Sequence, residues 1–136
     1  MKEFLRKLPR FLPTVLVVGA VLYLTLVPKP LPDTDINWME HTDKVVHALM
    51  MLGVYLTVAF DIMRRGRQPV GLSSSCMVWL LVAVVAFGGA IELAQGAMGA
   101  GRGCDLYDFI ADAIGAYVGY LIARRYSGSF AGWLAC

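Results

Sequence analysis

Residues 68–92, QPVGLSSSCMVWLLVAVVAFGGAIE, decide the fold. Twenty-four positions pass without a charge before the run ends on Glu92. From about Ser74 onward the run is long enough to cross a membrane as a helix, because about twenty apolar residues span the roughly 30 Å hydrocarbon core. The rest of the chain has the same character. Of its 136 residues, 58% are hydrophobic and 16% are charged, and the mean hydropathy is +0.63. An ordinary soluble domain carries about 25% charged residues. A soluble globule of this length leaves about a third of its potential surface exposed, and there is too little charge here to cover it. Composition therefore argues against a cytoplasmic enzyme, a disordered tail or a disulfide scaffold. It points to a small, single-domain, multi-pass membrane protein spanning residues 1–136.

Three further segments complete the expected bundle. Residues 11–28, FLPTVLVVGAVLYLTLVP, are uncharged and follow the basic stretch KEFLRKLPR. A cleaved signal peptide has the same flank, but no small-x-small cleavage site follows, so an anchor helix is expected. Residues 43–63 carry a shorter charge-free stretch, Ala48 to Phe60, and span only if the helix includes His47 and, by the same count, Lys44. Residues 105–123 have a charge-free stretch of only eleven positions and must hold Asp108 and Asp112 near the membrane shoulder. The expected fold is an all-α transmembrane bundle of four helices at about 11–28, 43–63, 74–99 and 105–123.

Lys and Arg orient it. Lys2, Arg6, Lys7, Arg10, Arg64, Arg65, Arg67, Arg124 and Arg125 fall on one side, and Lys29, Lys44 and Arg102 on the other. The positive-inside rule then predicts N-in and C-in, with 29–42 and 100–104 outside. The net charge of +2 is scattered and gives no nucleic-acid signal. Cys76, Cys104 and Cys136 are odd in number and far apart, so free thiols are expected. Eight of the ten acidic residues belong to the outer half: Asp33, Asp35, Glu40, Asp43, Glu92, Asp105, Asp108 and Asp112.

Helical spacing gathers these polar residues. At 100° per residue, Asp105, Asp108, Asp112, Gly115 and Gly119 share a sector of about 80°. Gly115 and Gly119 form a small-xxx-small pair that admits a neighbouring helix, so the aspartates on the same stripe face inward. Gly88, Glu92, Gln95 and Gly99 share another stripe, and Asp43, His47 and Met50 a third. A buried carboxylate is costly unless paired or wetted, so Glu92 either shifts its pKa upward or needs a cation, for which Lys44, His47 and Arg102 are the candidates. Each of these three has two readings. Arg102 is either a clamp on Glu92 or Asp108, or an anion-binding group above the cavity. His47 is either a hydrogen-bonded bundle residue or a ligand and proton carrier. Lys44 either snorkels to the interface or joins the site.

The pieces DKVVHALMMLGVYL, GGAIELAQ, the arginine at 102 and DLYDFIADAIGAYVGYLIA together resemble the VanZ-like family of small bacterial membrane proteins. The family pattern is similar at Asp43, Lys44, His47, Glu92, Gln95, Arg102, Asp108, Gly115 and Gly119, and the resemblance covers about residues 38–123. Asp112 departs from it, standing where the family more often has Asn. The resemblance implies a multi-pass protein of the bacterial cytoplasmic (inner) membrane, and its founding member is similar to an accessory factor for teicoplanin resistance.

Three functions compete. The first is binding of a lipid headgroup or lipid-linked wall precursor at an outward-facing site, affecting glycopeptide (teicoplanin) susceptibility. Lys44, Gln95, Arg102, Asp105 and Asp112 would contact the ligand, with Asp43, Gly115 and Gly119 structural. The second is an enzyme on a phosphorylated or glycosylated lipid, with Glu92, His47 and Asp108 as candidate catalytic groups. The third is a small transporter subunit, although transporters place polar sites at mid-membrane and these gather at one end. No cofactor and no resident metal are expected. A variant in which Glu92, Asp108, Asp112 and His47 are hard metal ligands is permitted by the spacing but not required by it.

Overall fold

The computed structural model describes residues 7–27, 40–64, 71–99 and 104–135. Four helices follow in order: α1 (Leu12–Leu26), α2 (Glu40–Met63), α3 (Ser74–Met98) and α4 (Leu106–Ala135). The last three are long and apolar enough to cross a membrane.

Local chemistry sets the helix ends. α1 begins after Phe11, a left-handed residue at φ 60°, with Pro13 in its first turn, where a missing N–H is harmless. It stops at Val27, which is extended, as a residue preceding proline prefers to be. At 15 residues α1 is shorter than the uncharged run 11–28 from which it arises, and covers about 22 Å. α3 is capped by Ser73, whose hydroxyl accepts from the Cys76 N–H at 3.2 Å, and ends on left-handed Gly99. At the start of α4, the Asp105 carboxylate accepts from the Tyr107 N–H at 2.8 Å.

α4 continues twelve residues beyond the expected end at 123. The segment after Arg125 contains no proline. Ser127 and Ala131 keep to the buried face that Ala116 and Ala123 occupy. Phe130 packs against Phe60 of α2 (ring centroids 5.8 Å apart) and against Trp133 (5.7 Å). The tail is thus tied to the bundle.

α4 lies mainly along α2, with α3 on its other flank, and α1 packs chiefly on α2. Gly115 and Gly119 permit the α2–α4 approach. A Cβ at Gly115 would overlap the Ala48 carbonyl, and one at Gly119 would lie 2.8 Å from the Tyr55 Cβ. Met51 and Tyr55 fill the seam, and the Tyr55 hydroxyl donates to the Met77 carbonyl of α3 at 2.9 Å. The exterior is unusually apolar, while a few charged groups lie within the apolar core. Trp79 and Leu93 are 72% and 70% exposed, while His47, Asp61, Glu92 and Asp112 are buried. Such an apolar exterior suits lipid rather than water.

Candidate functional site

The buried charge divides between the two ends of the bundle. His47 and Asp61 stand fourteen residues apart on α2, about 21 Å along the helix axis.

The first end gathers α2, α3 and α4. His47 Nδ1 lies 3.2 Å from Asp112 Oδ1 and 3.8 Å from Glu92 Oε1. Glu92 is 2% exposed and Asp112 is fully buried. Glu92 Oε2 accepts the Asp105 backbone N–H at 3.2 Å, which fixes that carboxylate against the start of α4. Glu92 Oε1 and Asp112 Oδ2 have no hydrogen-bond partner among the described residues. Most buried polar atoms find one, so these two require an explanation. Gly88 makes room for the arrangement: a Cβ there would sit 2.9 Å from Asp112 Oδ2.

Above this buried group sits Lys44, 31% exposed at its side chain. Its Nζ lies 3.5 Å from Asp108 Oδ1 and 3.7 Å from Asp105 Oδ2, and 5.8 Å from the centre of the Tyr107 ring. An ion pair this exposed contributes little stability; its value lies in holding the ammonium at the mouth. Asp43 is exposed, and a ligand atom from each of Asp43, His47 and Asp108 falls within 4.8 Å of the others. The same holds for His47, Glu92 and Asp112.

Seven of the residues singled out from the sequence therefore meet: Asp43, Lys44, His47, Glu92, Asp105, Asp108 and Asp112. Gln95 points elsewhere. Its amide donates to the Thr25 carbonyl at 2.9 Å, tying α3 to the end of α1. Gly115 and Gly119 serve packing. Arg102 lies outside the described residues. Alongside the cluster runs an apolar groove of about 810 Å³ between α3 and α4, lined by Leu81, Val85, Gly89, Leu93 and Phe109, with Glu92 and Cys104 also in its wall.

The other end holds a cluster without a sequence-level expectation. Asp61 Oδ2 accepts from the Thr14 N–H at 3.1 Å and from the Thr14 hydroxyl at 2.6 Å. Asp61 Oδ1 accepts from Arg64 Nε at 2.6 Å. The remaining Arg64 nitrogens donate to the Leu8 and Pro9 carbonyls at 2.9 and 2.7 Å. This is a satisfied clamp between α1 and α2, with its donors and acceptors matched. The only hint in the sequence is an acid and a base three apart at the end of an apolar run.

No curated protein and no solved structure matches the chain. Residues 14–127 match the family described as VanZ/LLP1, a span that opens in α1, closes late in α4 and contains every residue of the polar cluster. With most of its length so matched, and with three helices built for lipid, this chain is a membrane protein that belongs to the VanZ/LLP1 family.

Proposed function

We propose that this VanZ-like protein binds a lipid headgroup, or the headgroup of a lipid-linked wall precursor, at the polar end of α2, α3 and α4, and thereby affects glycopeptide (teicoplanin) susceptibility. The bundle crosses the bacterial cytoplasmic membrane several times with both termini inside. That orientation rests on the nine basic residues of one side against three on the other, and it turns the site outward.

The observation that carries the reading is Lys44. It is held by Asp105 and Asp108 at the mouth of a buried polar cluster, and the apolar groove shares Glu92 with that cluster. A headgroup phosphate would meet the ammonium while an acyl chain lay between α3 and α4. The aspartates orient the ammonium, Glu92 and Asp112 hold His47 beneath it, and the Gly115–Gly119 face supplies the framework.

The test uses full-length protein in lipid nanodiscs and a fluorescent lipid-linked precursor. Saturable binding by the wild type, weakened about tenfold or more by Lys44→Ala, supports the reading. Equal binding by the two proteins, or none by either, rejects it. A parallel measurement of teicoplanin susceptibility in cells producing each protein checks the physiological half.

A second reading has one specific observation behind it. A histidine oriented by a carboxylate at 3.2 Å is the usual arrangement of a general base, and Asp108 lies near enough to act as the acid. On this reading the protein is a membrane-embedded enzyme acting on a phosphorylated or glycosylated lipid. Turnover of the same labelled lipid, lost in His47→Gln, would replace binding as the description.

A further inference from the structure

We propose that His47, Glu92 and Asp112 form a binding site for a divalent transition-metal ion at the buried base of the polar cluster. The sequence spacing permits four hard ligands, and the structure groups three of them with all members buried.

Distance is the first argument. A nitrogen and carboxylate oxygens bound to one ion at about 2.0–2.2 Å lie about 3.4 Å from one another in tetrahedral geometry. His47 Nδ1 lies 3.2 Å from Asp112 Oδ1 and 3.8 Å from Glu92 Oε1, on either side of that value. Each ligand comes from a different helix, so small shifts of packed helices suffice to close the set.

Unsatisfied valence is the second and independent argument. Glu92 Oε1, the oxygen that faces His47, is buried and has no hydrogen-bond partner among the described residues. Its sibling Oε2 is already committed to the Asp105 N–H. That hydrogen bond orients the carboxylate as outer-shell bonds orient metal ligands. A proton shared between the two carboxylates is the competing arrangement, and ion uptake by the metal-stripped protein distinguishes the two.

Charge is the third. Two carboxylates in a low-dielectric interior face one imidazole, and the nearby ammonium of Lys44 lies against Asp105 and Asp108. A divalent ion neutralises both carboxylates at once, which a single imidazolium does not. One imidazole with two carboxylates is a mixed donor set, suited to zinc or manganese more than to calcium. The alternative trio of Asp43, His47 and Asp108 is the weaker candidate, because Asp43 is exposed and Asp108 is engaged by Lys44.

Three protein ligands leave at least one position open, where water or an anionic group would complete the shell. The ion site does not depend on the headgroup reading and is tested without any lipid ligand.

The experiment is a metal titration of the full chain in detergent, stripped with chelator and then offered Zn²⁺ or Mn²⁺. Stoichiometry is read by elemental analysis, affinity by calorimetry, and folding by thermal denaturation. The expected result is about one ion per chain and a rise in melting temperature on loading. Asp112→Asn and His47→Gln should each weaken affinity about 100-fold or more, and Asp43→Asn should change it less than about threefold. The wild-type titration stands by itself if a variant fails to fold. Folded wild-type protein that takes up no stoichiometric ion overturns the proposal. So does binding that survives both ligand changes, or that is lost in Asp43→Asn instead. Lys44→Ala separates the two readings, since it should weaken headgroup binding about tenfold or more yet leave the ion in place.

Discussion

Asp112 of α4 and His47 of α2 meet at 3.2 Å inside the bundle, both almost wholly shielded from solvent. The pair sits one turn from Gly115, where α2 and α4 come closest, so helix docking and polar chemistry are set by one stretch of chain. Replacing Asp112 by Ala should strip the imidazole of its partner and leave Glu92 beside an unfilled space. Leaving a buried hydrogen-bonding group without its partner costs about 1–3 kcal/mol. Asp112→Asn retains an acceptor for the ring and should cost less than half as much. Thermal denaturation in detergent of the two variants beside the wild type gives the comparison; Asp112→Ala melting at the wild-type temperature would show that the contact contributes nothing.

The glycines of α4 should separate sharply by position. Gly115→Ala drives a methyl into the Ala48 carbonyl, and overpacking of this kind costs about 1–3 kcal/mol or more. Gly132→Ala meets nothing within 4 Å and should be neutral or stabilising by up to about 1 kcal/mol, since alanine favours the helix. Melting temperatures of the two single variants, moving in opposite directions, are the expected outcome.

At the opposite end, the Asp61–Arg64 clamp should govern how firmly the chain before α1 is held. Asp61→Ala leaves the Arg64 guanidinium buried without its carboxylate, and a loss of about 3–5 kcal/mol is expected. Thr14→Val removes the hydroxyl hydrogen bond to the same carboxylate while leaving the one from the Thr14 backbone N–H, and should cost about 1.5–3 kcal/mol, the range for bonds to charged groups. Limited proteolysis near Leu8 should accelerate in the order wild type, Thr14→Val, Asp61→Ala. Cleavage at the same rate in all three would show that the clamp does not secure the segment.

Two natural cysteines read the proposed orientation directly. Cys104 is exposed beside the polar cluster, and Cys76 lies in the first turn of α3, at the other end of that helix. With the other cysteines replaced by Ser, an impermeant thiol reagent applied to intact cells should label Cys104 but reach Cys76 only after permeabilisation. The reverse pattern would turn the bundle over and place the cluster inside the cell.

Much of the cluster is legible in the sequence because helical period is a property of the chain itself. The spacing of Asp105, Asp108 and Asp112 with Gly115 and Gly119 marks one face, and the glycines declare that this face meets another helix. The period identifies a face but not the neighbour it meets or the rotamer on it. Gln95 lies on the same stripe as Glu92, yet it turns to the backbone of α1. Asp61 carries no comparable signal, since two of the groups its arginine binds are main-chain carbonyls more than fifty residues away. Bonds to the main chain leave no trace in residue identity. The length of α4 is hidden for a related reason: polarity after residue 123 marks the departure from hydrocarbon, whereas the helix itself ends only where backbone bonding does.

The buried trio draws one member from each of α2, α3 and α4. A nascent chain whose last helix is still in the translocation machinery therefore has only two of the three, and no fragment lacking a helix has the full set. The trio is therefore complete only once α4 has packed against α2 and α3 in its correct register.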